Sequence, residues 1–391
     1  MFSFERKFWI WIEKNIFIIS LLLVTILGGL IRLSLRGYVS GDAGADLLNW
    51  YAEIQSGGGL KSLGHQVGNY NMLYQFLIAI MTYIPIQPLY AYKALSCVFD
   101  YLLAGAVGYL VYELVEGNKR WKGLLAYGMV ILSPIVFLNS AVWAQCDSIY
   151  VFWIILSLIF LLQEKYIPTF LLYGIAIVFK LQAVFFLPVL LFLYFILKKF
   201  SALYFAFIPI MLCISGIPGM IMGRNMMDIF TVYLGQADTH PKMSMNYPGF
   251  WVILNDAAME ETYSTYRTVA LLLTIFVLAA WMIYFTVKKT EMSKENIVYI
   301  SFILVYSCVF FLPAMHERYG YLYEISAIII IFLYKETAPL LLSLLLISLF
   351  TYGFYLHGRT IDLSVLAVVN LVVYITYAIF LVKKMRRDSC E

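Results

Sequence analysis

Asn71-Met72-Leu73-Tyr74-Gln75-Phe76-Leu77-Ile78-Ala79-Ile80-Met81-Thr82-Tyr83-Ile84-Pro85 is the stretch on which the topology of this chain turns. It is apolar, yet short for a membrane crossing, which takes about 20 residues, and two prolines, Pro85 and Pro88, close it. We read it as a helix lying on the membrane surface. Reading it as a crossing inverts every loop that follows.

The surrounding composition makes a membrane protein the frame. The chain has 391 residues, 63% hydrophobic and 13% charged, with a mean hydropathy of +0.85. A soluble domain is about 45–50% apolar and about 25% charged, because each surface helix keeps a polar face. A soluble enzyme, a disordered chain and a secreted disulfide scaffold are therefore excluded. The expectation is an all-α polytopic membrane protein forming a single integral-membrane domain over 1–391. A net charge of +4 is too small to indicate nucleic acid. The cysteines, Cys97, Cys146, Cys213, Cys308 and Cys390, are scattered, and their spacing suggests neither a disulfide framework nor a metal site.

Apolar runs place about twelve spans, near 15–35, 89–115, 122–142, 148–163, 168–180, 183–198, 201–221, 266–287, 297–313, 319–334, 337–355 and 365–382. No cleavage-site pattern follows the first, so a retained anchor is expected. With 71–85 on the outside, both termini are cytoplasmic. The inner face then collects Arg6, Lys7, Lys14, Lys119, Arg120, Lys122, Lys165, Lys198, Lys199, Lys288, Lys289, Lys294, Lys335, Lys383, Lys384, Arg386 and Arg387. That concentration of basic residues in short inner loops and tails obeys the positive-inside rule; a crossing at 71–85 would split it. The two long loops, about 37–88 and 222–265, and all four histidines (His65, His240, His316, His357) then face outward. Long loops rich in Tyr, Trp, Gly and Asn are where function is expected.

Several outer residues admit both a chemical and a structural reading. In Gly41-Asp42-Ala43-Gly44-Ala45-Asp46, the two aspartates share a helix face. Asp42 suits a general base toward a hydroxyl substrate, or an N-cap for a helix over 43–55 worth about 1 kcal/mol. In Trp143-Ala144-Gln145-Cys146-Asp147-Ser148-Ile149-Tyr150, Asp147 fits a site residue or a favourable charge at a helix start. Lys180 ends a run of 13 residues, about 20 Å of helix. It therefore sits below the surface, where a cation is costly unless paired or wet; either it snorkels or it lines a recessed cavity that holds an anion. Pro313-Ala314-Met315-His316-Glu317-Arg318-Tyr319 packs His, Glu and Arg into one turn. It lacks the second histidine of a zinc motif. Arg318 fits phosphate recognition, or a surface pair with Glu317 of little worth. The second long loop offers Arg224, Tyr233, Gln236, Asp238, His240, Tyr247, Pro248 and Trp251, a mixture common in sugar clefts and at membrane interfaces alike. A phosphate loop, a dinucleotide fingerprint and a large cytoplasmic domain are all missing, so a lipid-borne donor suits the chain better than a cytosolic nucleotide.

Gly41-Asp42 with Trp50 and Glu53-Ile54, Trp143-x-Gln145-x-Asp147-Ser148-x-Tyr150, Lys180-x-Gln182 before Pro188, and Pro313-x-x-His316-Glu317-Arg318-Tyr319 occur in this order. Together they resemble the GT-C glycosyltransferases, and most of all bacterial relatives of the enzyme that adds the second mannose to the GPI anchor. The resemblance covers roughly 15–335. It implies a GT-C-like module over 15–221 with its catalytic loop at 37–88 carrying two surface helices, a second outer loop at 222–265, and variable C-terminal helices at 266–382. It further implies an inverting transfer of one sugar, mannose or another hexose, from a polyprenyl-phosphate carrier to a cell-envelope glycan or glycolipid. Carried over, Asp42 is the catalytic base and Asp46 its backup. Lys180, His316 and Arg318 hold the donor phosphate. Gln145, Asp147, Gln182, Glu317 and Tyr319 orient the sugar or the cations, and Tyr233 and Gln236 shape the acceptor side. Tyr70-Asn71-Met72 departs from a tyrosine–proline pair frequent in relatives. No cofactor is required, although some GT-C branches use a divalent metal. The expected setting is a plasma membrane, with the site on the outer face. The competing readings are a lipid-linked saccharide flippase or transporter, for which Lys93 and Asp100 on one helix face would suit a path, a polysaccharide polymerase, and a structural subunit of an envelope assembly.

Overall fold

Apolar runs punctuated by Pro, Gly and charged clusters fold as helices throughout the computed structural model, which describes residues 2–238, 241–358 and 362–387. A helix stands at each of the twelve expected spans. Seven are long and apolar enough to cross a membrane: Ser3–Leu35, Pro88–Leu114, Ala202–Ile221, Met259–Val287, Lys294–Phe311, Lys335–His357 and Leu363–Met385. An eighth results if Lys119–Ile131 and Pro134–Val142, which meet at 45°, form one bent span. The bend has a local cause: Pro134 lacks an N–H and opens a short helix that runs into a π-helical turn at Leu138–Val142.

The other four, Asp147–Leu162, Tyr166–Phe179, Leu181–Leu197 and Tyr321–Leu333, are shorter. A helix of 14 residues such as Tyr166–Phe179 spans about 21 Å, against a hydrocarbon core of about 30 Å. Judged by length and composition, the crossings among the described residues thus number seven or eight, where hydropathy alone suggested about twelve. Hydropathy cannot distinguish a lipid-facing run from one buried among other helices. Asp147–Leu162 and Tyr321–Leu333 are mostly buried in protein. Lys294–Phe311 is the central helix, with 89% of its apolar window buried, whereas Ser3–Leu35 is peripheral at 11%.

The 71–85 stretch forms the ten-residue helix Met72–Met81. Its buried residues Met72, Gln75, Ile78 and Ala79 follow helical spacing, joined by Tyr74. Asn71 caps the start: its carboxamide oxygen accepts from Met72 N and its Nδ2 donates to Ile229 O. At the other end Tyr51 OH donates to Met81 O. Both ends therefore meet loop elements, and about 15 Å of helix is half a crossing. A second short helix, Leu48–Ser56, lies in the same loop.

Three contacts hold the first helices together. Gly108 and Gly123 each bring the space a Cβ would fill to 2.8 Å from the other's carbonyl oxygen, so Pro88–Leu114 and Lys119–Ile131 touch backbone to backbone, as small residues allow in membranes. Arg32, 5% exposed, pairs with fully buried Asp100 at 2.9 Å and donates to Gly28 O and Ile131 O; Ser140 Oγ donates to the same Asp100 oxygen at 2.5 Å. Lys93 Nζ donates to the carbonyls of Leu35, Arg36 and Tyr38, capping the C-terminal end of the first helix. The intramembrane charges Lys93 and Asp100 thus each have a structural partner.

Candidate active site

Ser40, not Asp42, caps the first loop helix: its Oγ accepts from Ala43 N at 3.2 Å. Asp42 has helical dihedrals and makes no side-chain cap, so its carboxylate turns into the molecule. Oδ2 accepts from Trp143 Nε1 at 3.0 Å and Gln145 Nε2 at 2.8 Å; Oδ1 accepts from Tyr355 OH at 2.5 Å. The turn that offers Trp143 and Gln145 is wound tightly. Trp143 N, Ala144 N and Gln145 N bond back to Leu138 O, Ser140 O and Asn139 O, and Ala144 is forced to a φ of 63°. Left-handed geometry at alanine costs about 1–2 kcal/mol, and such strain clusters at functional sites. Gln145 is itself oriented, its Oε1 accepting from Tyr70 OH; burial pushes the Tyr70 phenol well up, so it stays a donor.

Asp147 opens the helix Asp147–Leu162 without capping it. One oxygen pairs with Lys180 Nζ; the other accepts from Asn139 Nδ2 at 2.8 Å. Lys180 stands where Tyr166–Phe179 breaks into extended backbone. At 6% exposure it is buried rather than snorkelling. Gln182 is buried beside it, and its Oε1 has no protein partner among the described residues.

The second long loop shapes the His316 turn. Ser244–Met245 pairs in parallel with Met315–His316, Ala314 N donates to Met243 O and Glu317 N to Met245 O. Ala314, like Ala144, adopts a positive φ, here 57°. Arg318 Nη1 reaches Glu317 Oε1 at 2.9 Å and lies 3.9 Å from Asp42, while its Nε lies 3.6 Å from Asp147. Its guanidinium covers the Trp143 ring at 5.3 Å and Tyr319 at 5.9 Å. Burial opposes its charge, but the Glu317 and Asp147 carboxylates outweigh that and hold its pKa well above the ordinary value. Glu317 is 1% exposed and the Arg318 side chain 12%, so the pair is largely shielded from solvent. His316 is beside Glu317 at 3.8 Å and against the Tyr319 ring at 5.0 Å.

Asp42, Gln145, Asp147, Lys180, His316, Glu317, Arg318 and Tyr319 therefore share one network at one end of the bundle. Basic contacts such as Lys199–Glu164 and Lys384 over Tyr299 and Tyr334 lie at the opposite ends of the same helices. Asp46 stands apart on the exposed side of its turn; partial burial and the Asp42 charge raise its pKa. Tyr233 hydrogen-bonds Ile177 O and Val178 O, fastening the second loop near Lys180. The Gln236 side chain and His240 lie outside the described residues. Among the described residues, no cluster of three or more His, Cys, Asp or Glu side chains is arranged to hold a metal ion. Tyr355 and Asn139 join the site unannounced by any motif, each a single residue in an apolar or aromatic run, and Tyr70 joins it from the Tyr70-Asn71-Met72 stretch.

The helical scaffold is that of an all-α polytopic membrane protein, with carboxylates, paired cations and aromatic rings gathered at one end. The model of Glycosyltransferase family 87 matches residues 69–312, and the chain belongs to this family of membrane glycosyltransferases. A search of curated proteins finds no match. The matched span includes Gln145, Asp147, Lys180 and Gln182, whereas Asp42, the His316 turn and Tyr355 lie beyond it.

Proposed function

We propose that this glycosyltransferase moves one hexose, mannose or another, from a polyprenyl-phosphate carrier to a cell-envelope glycan or glycolipid, and that it works on the outer face of the plasma membrane. The observation that carries this reading is the approach of a carboxylate suited to act as base, Asp42, to within 3.9 Å of the Arg318 guanidinium. A base for the incoming hydroxyl and a cation for the departing phosphate are the two charges an inverting transfer requires.

In this mechanism the acceptor hydroxyl gives its proton to Asp42 as its oxygen attacks C1 of the donor sugar. The C1–O bond to phosphate breaks on the opposite face, and polyprenyl phosphate leaves with the bonding electrons. Arg318 and Lys180 face the growing negative charge, with His316 a further donor. Each cation already has a carboxylate partner, which keeps it charged in a buried setting and lets it be shared with phosphate when the donor binds. Gln145 and Trp143 keep the Asp42 carboxylate aimed; Asp147 and Glu317 hold the cations; Gln182 and Tyr319 line the sugar. Asp46 is the reserve base. Outer-face placement is supported by the basic loops gathered at the end away from the site. No step here needs a metal.

The test is incubation of purified protein with a labelled polyprenyl-phosphate mannose and an octyl glycoside. Release of free polyprenyl phosphate with label on the glycoside supports the reading. Intact donor with each of a panel of polyprenyl-phosphate hexoses sinks it.

A further inference from the structure

Of the two Asp42 oxygens, Oδ2 is held by donors from Trp143 and Gln145, which are 0% and 2% exposed. Among the described residues Oδ1 receives one bond, and it comes from a different kind of group. Tyr355 OH, 2.5 Å away, belongs to a residue that is 37% exposed. A phenol on Oδ1 is an alcohol hydroxyl placed where a base would receive an alcohol's proton. One ring packs directly on it, and two more lie at the same end of its helix. Tyr355 stacks on Trp143 at 4.7 Å and 22°, and Tyr38 meets His357 edge-on at 6.0 Å. Tyr38 OH donates to Leu356 O, tying the start of the catalytic loop to the last turn of Ala338–His357. Tyr38 is also 37% exposed, and His357 is exposed. On the other side of Asp42 the groups are closed in: Asp147, Lys180 and Glu317 are all at or below 6%. Of the side chains that meet the Asp42 carboxylate, Tyr355 is therefore the most exposed.

We propose that Tyr355 and its aromatic neighbours form the acceptor subsite, and that the Tyr355 phenol holds the position of the acceptor hydroxyl until a saccharide displaces it. The class of ligand follows from the chemistry. A pyranose presents an apolar C–H face to an aromatic ring, and a hydroxyl at its edge reaches Oδ1; an aromatic body with a polar tip suits that pair of contacts. The inference rests on the transfer reading above but moves the acceptor entrance from the second long loop to the C-terminal helices.

The probes are octyl α-mannoside as acceptor and labelled polyprenyl-phosphate mannose as donor. Removing the ring with Tyr355→Ala raises the KM for octyl mannoside about tenfold, the size of one aromatic contact, while the donor KM stays within about twofold. Tyr355→Phe keeps the ring and removes the competing phenol, so the acceptor KM falls severalfold. Opposite shifts from the two variants are not produced by a loss of structure. Any other pattern overturns the proposal, whether an unchanged acceptor KM, shifts in the same direction, or a change carried by the donor. Equilibrium binding of tritiated octyl mannoside separates this from the parent reading. If wild-type protein binds the glycoside but releases no polyprenyl phosphate, the transfer reading falls and the variants' binding constants still decide the subsite.

Discussion

Arg318 Nη1 lies 3.9 Å from the Asp42 carboxylate, joining the turn after the first helix to the turn between Lys294–Phe311 and Tyr321–Leu333. The contact requires both turns to lie at the same end of the bundle, as an outer-face site demands. Asp46→Cys and His316→Cys introduced singly into a background without accessible thiols should both react with an impermeant maleimide from outside intact cells. Lys119→Cys and Lys383→Cys should react only after permeabilisation. Residues 46 and 316 reacting from opposite faces is incompatible with the site described.

The Asp147–Lys180 pair is buried, and removing one partner strands the other charge. Asp147→Asn or Lys180→Met should each lower stability by about 3–5 kcal/mol, and the double neutral variant should recover much of that. Thermal unfolding in detergent measures it. Transfer should stay low in all three, because the proposal needs the cation and not merely a filled core; full activity in the stable double variant would remove Lys180 from the phosphate.

Arg318→Lys preserves charge and discards the planar fork that reaches Glu317, Asp147 and Asp42. An ammonium cannot meet three carboxylates at once. Transfer should fall by about 10²–10³, the usual cost of one group that stabilises developing charge, with the donor KM rising. A variant within a few-fold of wild type would place the leaving group elsewhere.

Arg32 and Asp100 test the transport alternative. If they serve only to join the first helix to its neighbours, Arg32→Met should destabilise by about 3–5 kcal/mol and Arg32→Met with Asp100→Leu should be close to neutral in stability, with near-normal transfer. A saccharide pathway through the membrane at this pair would instead be blocked in the stable double variant, which a proteoliposome uptake assay reads directly.

Much of this arrangement could be read from residues alone, because each of the four motifs is local. Asp42, the Trp143–Asp147 turn, Lys180-Leu181-Gln182 and the His316 turn all carry polar groups against an apolar background, and all converge. That 71–85 forms a helix too short to cross a membrane was legible from its length and its prolines. The capping alternative for Asp42 was not decidable from spacing: Ser40 two residues earlier takes that role, and a serine in a loop carries no pattern. Tyr355 was invisible for a similar reason, being one tyrosine in an apolar helix whose partner stands at the other end of the chain. The Arg32–Asp100 pair joins residues 68 apart in the chain, a separation that no local pattern reveals. All twelve apolar runs became helices, of which seven or eight are long enough to cross by length and composition; hydropathy alone does not fix helix length.

The most direct test of the account compares wild type with Asp42→Asn in purified form, following both donor binding and the release of polyprenyl phosphate from labelled polyprenyl-phosphate mannose. Asparagine preserves size and keeps an acceptor oxygen for Trp143 and Gln145, so folding and donor binding should persist while transfer drops by about 10²–10⁴. Transfer by Asp42→Asn within a few-fold of wild type would contradict the claim that this carboxylate is the base.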